Sequence, residues 1–390
     1  MTVDSSPFQP LAGTRVLDLG MNIAGPQATS LLADLGADVV KVESPTGDTS
    51  RGMEPRAADG TSAMAYAMNR SKRCVALDLR SPKAAQVLEV LLRWADVAVQ
   101  NLRPGKAEVL GVDAAACHAV NPRLVHVSVE AFYPVDAGRP GYDLMVQAES
   151  GMLHLTGDAA GPPARLPGSL LDHTTGLWAA YGAAAALHGE RDRVALTITM
   201  ADVAQHLLGD RVAAHLLTGE SPVRMGSATS VVTPLGAYPT ATTEIVLGAA
   251  SDTLFRRLSS ALGVALADDP RFVDNAGRLA HRAALDDAIT AALHNADADT
   301  WVERLDAAGV PVGQVRDLPD AVELHRRHSR TGLAPVHGVP GASVVANPLT
   351  GPAPVRGPGR VGADNRDVLV DTLGLNPDLV AKLEDSGVLA

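Results

Sequence analysis

The residue best placed for chemistry in this sequence is a carboxylate. Asp172 sits in LLDHTTG, shortly after the loop GDAAGPPARLPGS and at the start of an Ala-rich stretch. Asp followed by HTTGLW is also a good helix-capping sequence. The two roles are compatible, because a carboxylate at a helix N-terminus lies at the positive end of the macrodipole and is expected to stay ionised, as a nucleophile must. Thirty positions upstream, Tyr142 and Asp143 follow the Pro-Gly turn of RPGYD, where a buried aromatic and a turn-stabilising carboxylate explain them equally well. His173 adjoins Asp172, but successive residues at a helix start point apart, which favours a structural role. Arg80 in LDLRSP and Arg103 in NLRPG offer charge to a phosphate, with Lys72 and Arg73 as weaker candidates. Arg80 reads equally as a solvated residue at a helix start.

Composition limits what these residues can serve. The chain has 390 residues, 46% hydrophobic and 20% charged, a globular composition long enough for two domains. Aromatics make up 3%, which leaves little for stacking on bases, and 33 basic against 44 acidic residues give a net charge of −11. Nucleic acid is therefore not an expected partner, whereas a phosphorylated small molecule needs only a local basic pocket. Cys74 and Cys117 have neither metal-ligand nor disulfide spacing and read as small core residues in a reducing compartment. The polar start MTVDSSPFQP and the lack of a long uncharged apolar run predict a cytoplasmic protein with no membrane span.

The elements that must position these residues alternate. RVLDLG, GPQATSLLADLG and ADVVKVE read as strand, helix and strand; CVALDL, a helix from Pro82 to Trp94, DVAVQNL, a helix near Ala114–Val120, and RLVHVSV continue the pattern. Such alternation predicts an α/β fold with a mostly parallel sheet. The first strand–helix connection is no GxGxxG loop, which argues against a nicotinamide or flavin dehydrogenase. HTTGLWAAYGAAAALHG reads as a closely packed helix and VALTITM as a strand. A second, smaller domain is expected over about 225–325, with a hairpin in GAYPTATTEIVLGAA and helices at Thr253–Leu262 and Arg282–Leu293. Pro/Gly-rich linkage from Gly332 to Gly362 leads to a terminal helical pair.

Taken in order, LDLGMNIAGPQATSLLADLGADVVKVE, NRSKRCVALDLRSP, ADVAVQNLRPG, NPRLVHVSV, RPGYDLMVQAESGMLHLTG, LLDHTTG, DPRFVDNAGRLAHR, LDAAGVPVGQV and LEDSGVL resemble the class III coenzyme A transferases of the CaiB/BaiF type, which include formyl-CoA and carnitine CoA transferases and, more distantly, α-methylacyl-CoA racemases. The resemblance implies a Rossmann-like large domain with a parallel sheet, built from residues 1–210 and 326–390, a smaller α+β domain at 225–325, and an interlocked homodimer. It implies transfer of CoA from an acyl-CoA to a carboxylic acid acceptor without a metal, with Asp172 as the nucleophile that forms an aspartyl anhydride and then an aspartyl-CoA thioester. It places Leu77, Arg80, Asn101, Leu102, Arg103 and Leu110 around the CoA nucleotide, and Ile23, Tyr142, Asp143 and Gly226 at the substrate pocket.

Departures from the family matter too. Val109 stands where a basic residue is usual, with Lys106 as a substitute, and GSATSVVTP keeps Gly226 alone of a glycine run found in some transferases. The racemases carry a His near position 142. Tyr titrates near pH ~10 and His near ~6.5, so Tyr142 is a poor base at neutral pH and transfer is favoured over α-carbon isomerisation. A non-catalytic acyl-CoA-binding protein is the remaining alternative, and the presence of Asp172 speaks against it.

Overall fold

The computed structural model describes residues 8–136 and 138–390. The chain divides into two compact units, one formed by residues up to Met152, Leu166–Gly219 and Arg326–Ala390, the other by Leu153–Arg165 and Glu220–His325.

In the first unit the short apolar runs become strands of one six-stranded parallel sheet. The chain runs through β1 (Arg15–Asp18), α1 (Ala24–Asp34), β2 (Asp38–Glu43), α2 (Ala63–Asn69), β3 (Arg73–Ala76), α3 (Ala85–Trp94) and β4 (Val97–Gln100). It continues through α4 (Lys106–Leu110), α5 (Ala114–Val120), β5 (Val125–Glu130), α6 (Asp143–Glu149), the single turn α7 (Met152–Leu155), α8 (Leu170–Leu187), β6 (Ala195–Thr199), α9 (Met200–Leu207) and α10 (Gly209–Thr218). The strand order is β3-β2-β1-β4-β5-β6, with every pairing parallel.

A parallel sheet must be covered on both faces, and strand alternation divides the apolar residues accordingly. Leu17, Val40, Val42, Val75 and Ala98 share a core with Val87, Leu88 and Leu91 of α3. Val16, Val39, Val97, Val99 and Val127 share the other with α1 and with Ala179, Ala180 and Ala183 of α8. Strand order reverses between β1 and β4, and in open sheets ligands bind outside the carboxyl ends at that reversal. The loops that follow β1 and β4 hold that position.

In the second unit the hairpin β7 (Leu235–Pro239) and β8 (Glu244–Gly248) pairs antiparallel and is extended by β9 (Val312–Gln314). Phe255 of α11 (Asp252–Leu262), Leu285 and Ile289 of α13 (Arg282–Leu293) and Trp301 of α14 (Ala298–Ala307) form its core, with the short α12 (Asn275–Ala280) leading into α13. Helix α15 (Leu318–His328) carries the chain back to the first unit.

The Pro/Gly-rich stretch expected as plain linkage contains a small sheet of β10 (Leu333–His337), β11 (Ser343–Val345) and β12 (Val355–Arg356). Ala334 and Val336, alternating in β10, are buried, a two-residue period too short to stand out between turn residues. Beyond it, Asp364 and Asn365 accept hydrogen bonds from the backbone N–H groups of Cys74 and Ala76 at 2.7 and 3.0 Å. Leu389 bridges to Leu77. The open edge of β3 is thus covered, which removes a template for unwanted strand pairing. Helix α16 (Pro377–Asp385) adds Val380 and Leu383 to the core shared with α3. No helix among the described residues is long and apolar enough to cross a membrane.

Candidate active site

Helix α8 starts with Ser169 as its N-cap residue, so Asp172 is the third helical residue and does not cap the helix itself. The capping carboxylate comes from another helix. Asp143, the first residue of α6 and almost wholly buried, accepts through Oδ2 from the N–H groups of Leu171 at 2.9 Å and Asp172 at 3.2 Å. Its Oδ1 accepts from the amide of Gln147, whose own oxygen accepts from Leu166 N at 3.0 Å. One carboxylate thereby satisfies two of the N–H groups that a helix start leaves unpaired, and fixes the backbone that carries Asp172.

Two carboxylates now share one environment. Burial and the negative charge of Asp143 push the Asp172 carboxyl up to about 7. The expectation that Asp172 stays ionised through the helix dipole is corrected accordingly, since burial and a like charge outweigh the dipole. At neutral pH the group divides between its two forms, and such perturbed carboxylates cluster at functional sites. His173 is held low by burial, with Asp143 opposing and Arg70 assisting, so its imidazole is predominantly neutral.

Tyr142 is 69% exposed, which excludes a buried structural aromatic; it is the N-cap residue of α6 without a side-chain cap bond. Ile23 is buried as the N-cap residue of α1. A Cβ on Gly176 would lie 2.8 Å from the Ala24 carbonyl oxygen, so α1 and α8 cross there with backbone against side chain. Ile23 and Asp172 each lie about one turn from that crossing. Gly226 belongs to the second unit, at φ 62° with open space around it.

At the carboxyl ends of β1, β2 and β4 lies a cleft of about 350 Å³, lined by residues that include Leu77, Arg80, Leu102, Lys106 and Leu110. Four of the six residues expected around a nucleotide, Leu77, Arg80, Leu102 and Leu110, thus meet in one cavity. Arg80 is already engaged with Asp78, at 2.8 Å. Asn101 spends its amide on the loop after β1, accepting from Met21 N and donating to Met21 O, both at 2.8 Å. Arg103 is exposed and does not line the cleft. Val109 is 84% exposed, outside the cleft, whereas Lys106, one turn earlier on α4, lines it.

A buried ionic cluster under the β1–α1 loop went unnoticed in the sequence. Asp18, Lys41 and Lys72 are fully buried, and Lys72 Nζ lies 2.8 Å from Asp18 Oδ2. Lys41 Nζ lies 2.9 Å from Asp48 Oδ2 and 3.7 Å from Asp18 Oδ2. Lys72 is therefore removed as a phosphate candidate, and Arg73 is tied to Asp38 and Asp367. The available signal was a lysine among the valines of the strand DVVKVE. Among the described residues no group of three or more His, Cys, Asp or Glu is arranged to hold a metal ion.

The model of CoA-transferase family III matches residues 11–358. The succinate–glutarate CoA-transferase of Agrobacterium fabrum is 33% identical, over 80% of this chain and 81% of its own. The succinyl-CoA–D-citramalate CoA-transferase of Chloroflexus aurantiacus is also 33% identical, over 98% of this chain and 99% of its own. The crystal structure of a CaiB/BaiF family protein from Brucella suis superposes with a TM-score of 0.81 at 30% identity, covering 92% of this chain and 99% of that one.

Proposed function

The chain belongs to CoA-transferase family III, enzymes that move CoA between acyl-CoA thioesters and acids, and we propose that it does so through covalent intermediates on Asp172. The observation that carries this is the Asp143-capped start of α8, which holds the Asp172 backbone in place and, with burial, raises its carboxyl to about 7. A carboxylate with that proton affinity is a stronger nucleophile than an exposed one.

In the first step Asp172 attacks the thioester carbonyl; the C–S bond breaks, CoA leaves as thiolate and a mixed anhydride remains. The thiolate then attacks the aspartyl carbonyl, releasing the donor as its carboxylate and leaving an aspartyl-CoA thioester. The acceptor carboxylate attacks that thioester and expels thiolate again. Attack of the thiolate on the acceptor's carbonyl yields the new acyl-CoA and regenerates Asp172. The overall exchange replaces one thioester by another, while the anhydrides between them are more reactive towards water, so exclusion of water is the chief requirement on the protein. Leu77, Leu102 and Leu110 supply apolar walls for the nucleotide, and Arg80 and Lys106 the charge for its phosphates. Ile23 and Tyr142 border the acyl portion, and two chains interlock as a homodimer.

Trapping tests the reading. With acyl-CoA and hydroxylamine the protein should lose activity and carry a hydroxamate at Asp172, found by peptide mass spectrometry. Retained activity with no modified peptide rejects covalent transfer. Deuterium entering the α-carbon from solvent without an acceptor acid establishes isomerisation in its place. Succinyl-CoA is the first donor to assay, since two relatives at 33% identity are named for succinyl or succinate transfer.

A further inference from the structure

We propose that Lys41 is a positioning residue for the coenzyme cleft: its buried ammonium, with the two carboxylates it pairs, fixes the Gly20–Asn22 loop that forms one wall. The cleft's role as the CoA site rests on the function proposed above; the loop's dependence on Lys41 does not. Gly20 and Met21 line the cleft, and residues 20–22 precede α1, outside any strand ladder. Their peptide groups must find other partners. Gly20 N donates to Asp18 Oδ1 at 2.8 Å and Gly20 O accepts from Lys41 Nζ at 2.8 Å. Met21 is held on both sides by Asn101. Asn22 N donates to Asp48 Oδ1 at 3.2 Å, and Asn22 has φ 63°, a left-handed conformation that asparagine tolerates better than most residues.

Lys41 touches three of these supports: the Gly20 carbonyl directly, and Asp18 and Asp48 through charge. An apolar residue at position 41 would satisfy the strand, whose neighbours Val39, Val40 and Val42 are all buried. Burying an ammonium costs several kcal/mol in desolvation, a cost the strand itself does not require. What the ammonium adds is a defined loop.

The test compares Lys41→Met with the double variant Lys41→Met/Asp48→Asn. The single variant leaves Asp48 without its cation and is expected to lose stability. In the double variant the amide oxygen introduced by Asp48→Asn still accepts from Asn22 N, and thermal stability should largely return while the Gly20 carbonyl stays unheld. Hydrogen exchange read by mass spectrometry should then show lost protection confined to the peptide over residues 19–23, with β1 and β2 protected as in the parent. The KM for acyl-CoA should rise about tenfold and the KM for the acceptor acid stay within about twofold. Parental exchange over residues 19–23 in the double variant overturns the proposal whatever the activity. So does a KM for acyl-CoA that returns to the parental value together with stability. If the parent itself transfers no CoA, the functional reading fails, and the exchange pattern still decides the loop's dependence on Lys41.

Discussion

Asp18, fully buried, and Asp172, half-buried, are the same residue type in the first unit, and they end with opposite proton affinities. Burial works to raise both. At Asp18 the charges of Lys41 and Lys72 and the hydrogen bonds of Lys72 and Thr29 outweigh it, so the carboxyl is held below its usual range. At Asp172 the neighbouring charge is Asp143, and the two effects add, to about 7. The partner, more than the depth, decides whether a desolvated carboxylate is held ionised or takes up a proton. Asp18 is spent on holding the loop after β1, whereas Asp172 is left with a charge the fold does not compensate.

Removing each carboxylate's distinguishing feature should separate the two most widely. Asp172→Asn should lower transfer about 10⁴-fold or more, measured as acyl-CoA formed from a supplied acid. The same variant should be more stable than the parent at pH 8. Because the folded-state pKa is raised, the stability tied to this group is fully present below the unfolded value of about 3.9 and is lost as pH rises through about 7. The variant escapes that loss, so the melting temperatures should converge near pH ~4, separate as pH rises to about 7 and keep a constant gap above it. A variant less stable than the parent at pH 8 would mean that Asp172 is compensated after all.

Lys72→Met should do the reverse at the other carboxylate. It strips Asp18 of its nearest cation and takes one donor from each of Asp18, Pro26, Met68 and Asn69, the first three keeping a hydroxyl donor from Thr29 or Ser30. Breaking a buried pair on one side costs about 3–5 kcal/mol, readable in urea denaturation. Burial outweighs the attraction of Asp18 and, with Lys41 assisting, pulls the Lys72 ammonium down to about 8. Because that folded-state value lies below the ~10.4 of an unfolded lysine, the stability tied to this group rises as pH climbs from about 8 towards ~10.

Asp143→Asn is a subtler change. With the amide oxygen placed to accept from Leu171 and Asp172 the cap survives, at the cost of the Gln147 hydrogen bond that Oδ1 accepted, and the like charge is gone. The acid limb of the kcat/KM profile should move to lower pH, raising the rate at pH 6 by up to about tenfold. An unmoved limb would assign the raised affinity of Asp172 to burial alone.

The legible and illegible parts of the molecule divide along the same physics. Strands β1, β2, β4 and β5 and helices α1, α3 and α13 follow from apolar periodicity, a local property. Asp172 stood out through its loop and through the resemblance of its segment. Its cap did not, because Asp143 lies 28 and 29 positions from the N–H groups it serves and only the fold brings them together. Lys41 carried a local signal, a charge amid valines, but its meaning required Asp18 at the end of β1, Gly20 from the loop after it and Asp48 from the stretch after β2. Lys72, judged by charge alone, pointed to a phosphate, whereas burial gives it to Asp18.

The smallest predicted effect concerns the cleft's surface charge. Arg80 is 78% exposed at its side chain and donates to Asp78 at 2.8 and 3.2 Å. That hydrogen bond and charge raise the guanidinium's already high proton affinity, so it is charged throughout, and the pair competes with any phosphate for the same donors. Exposed pairs are worth little and are screened by salt. Arg80→Ala should therefore raise the KM for acyl-CoA only about twofold to threefold at low salt and less at high salt. Asp78→Asn, which releases the donors without removing them, should lower it. Opposite signs from two neighbouring substitutions would identify a cation restrained by its own carboxylate, the surface counterpart of Asp18 under its two lysines. A rise in KM in both variants would make the pair a structural bracket at the start of α3, with the phosphate charge then coming from Lys106.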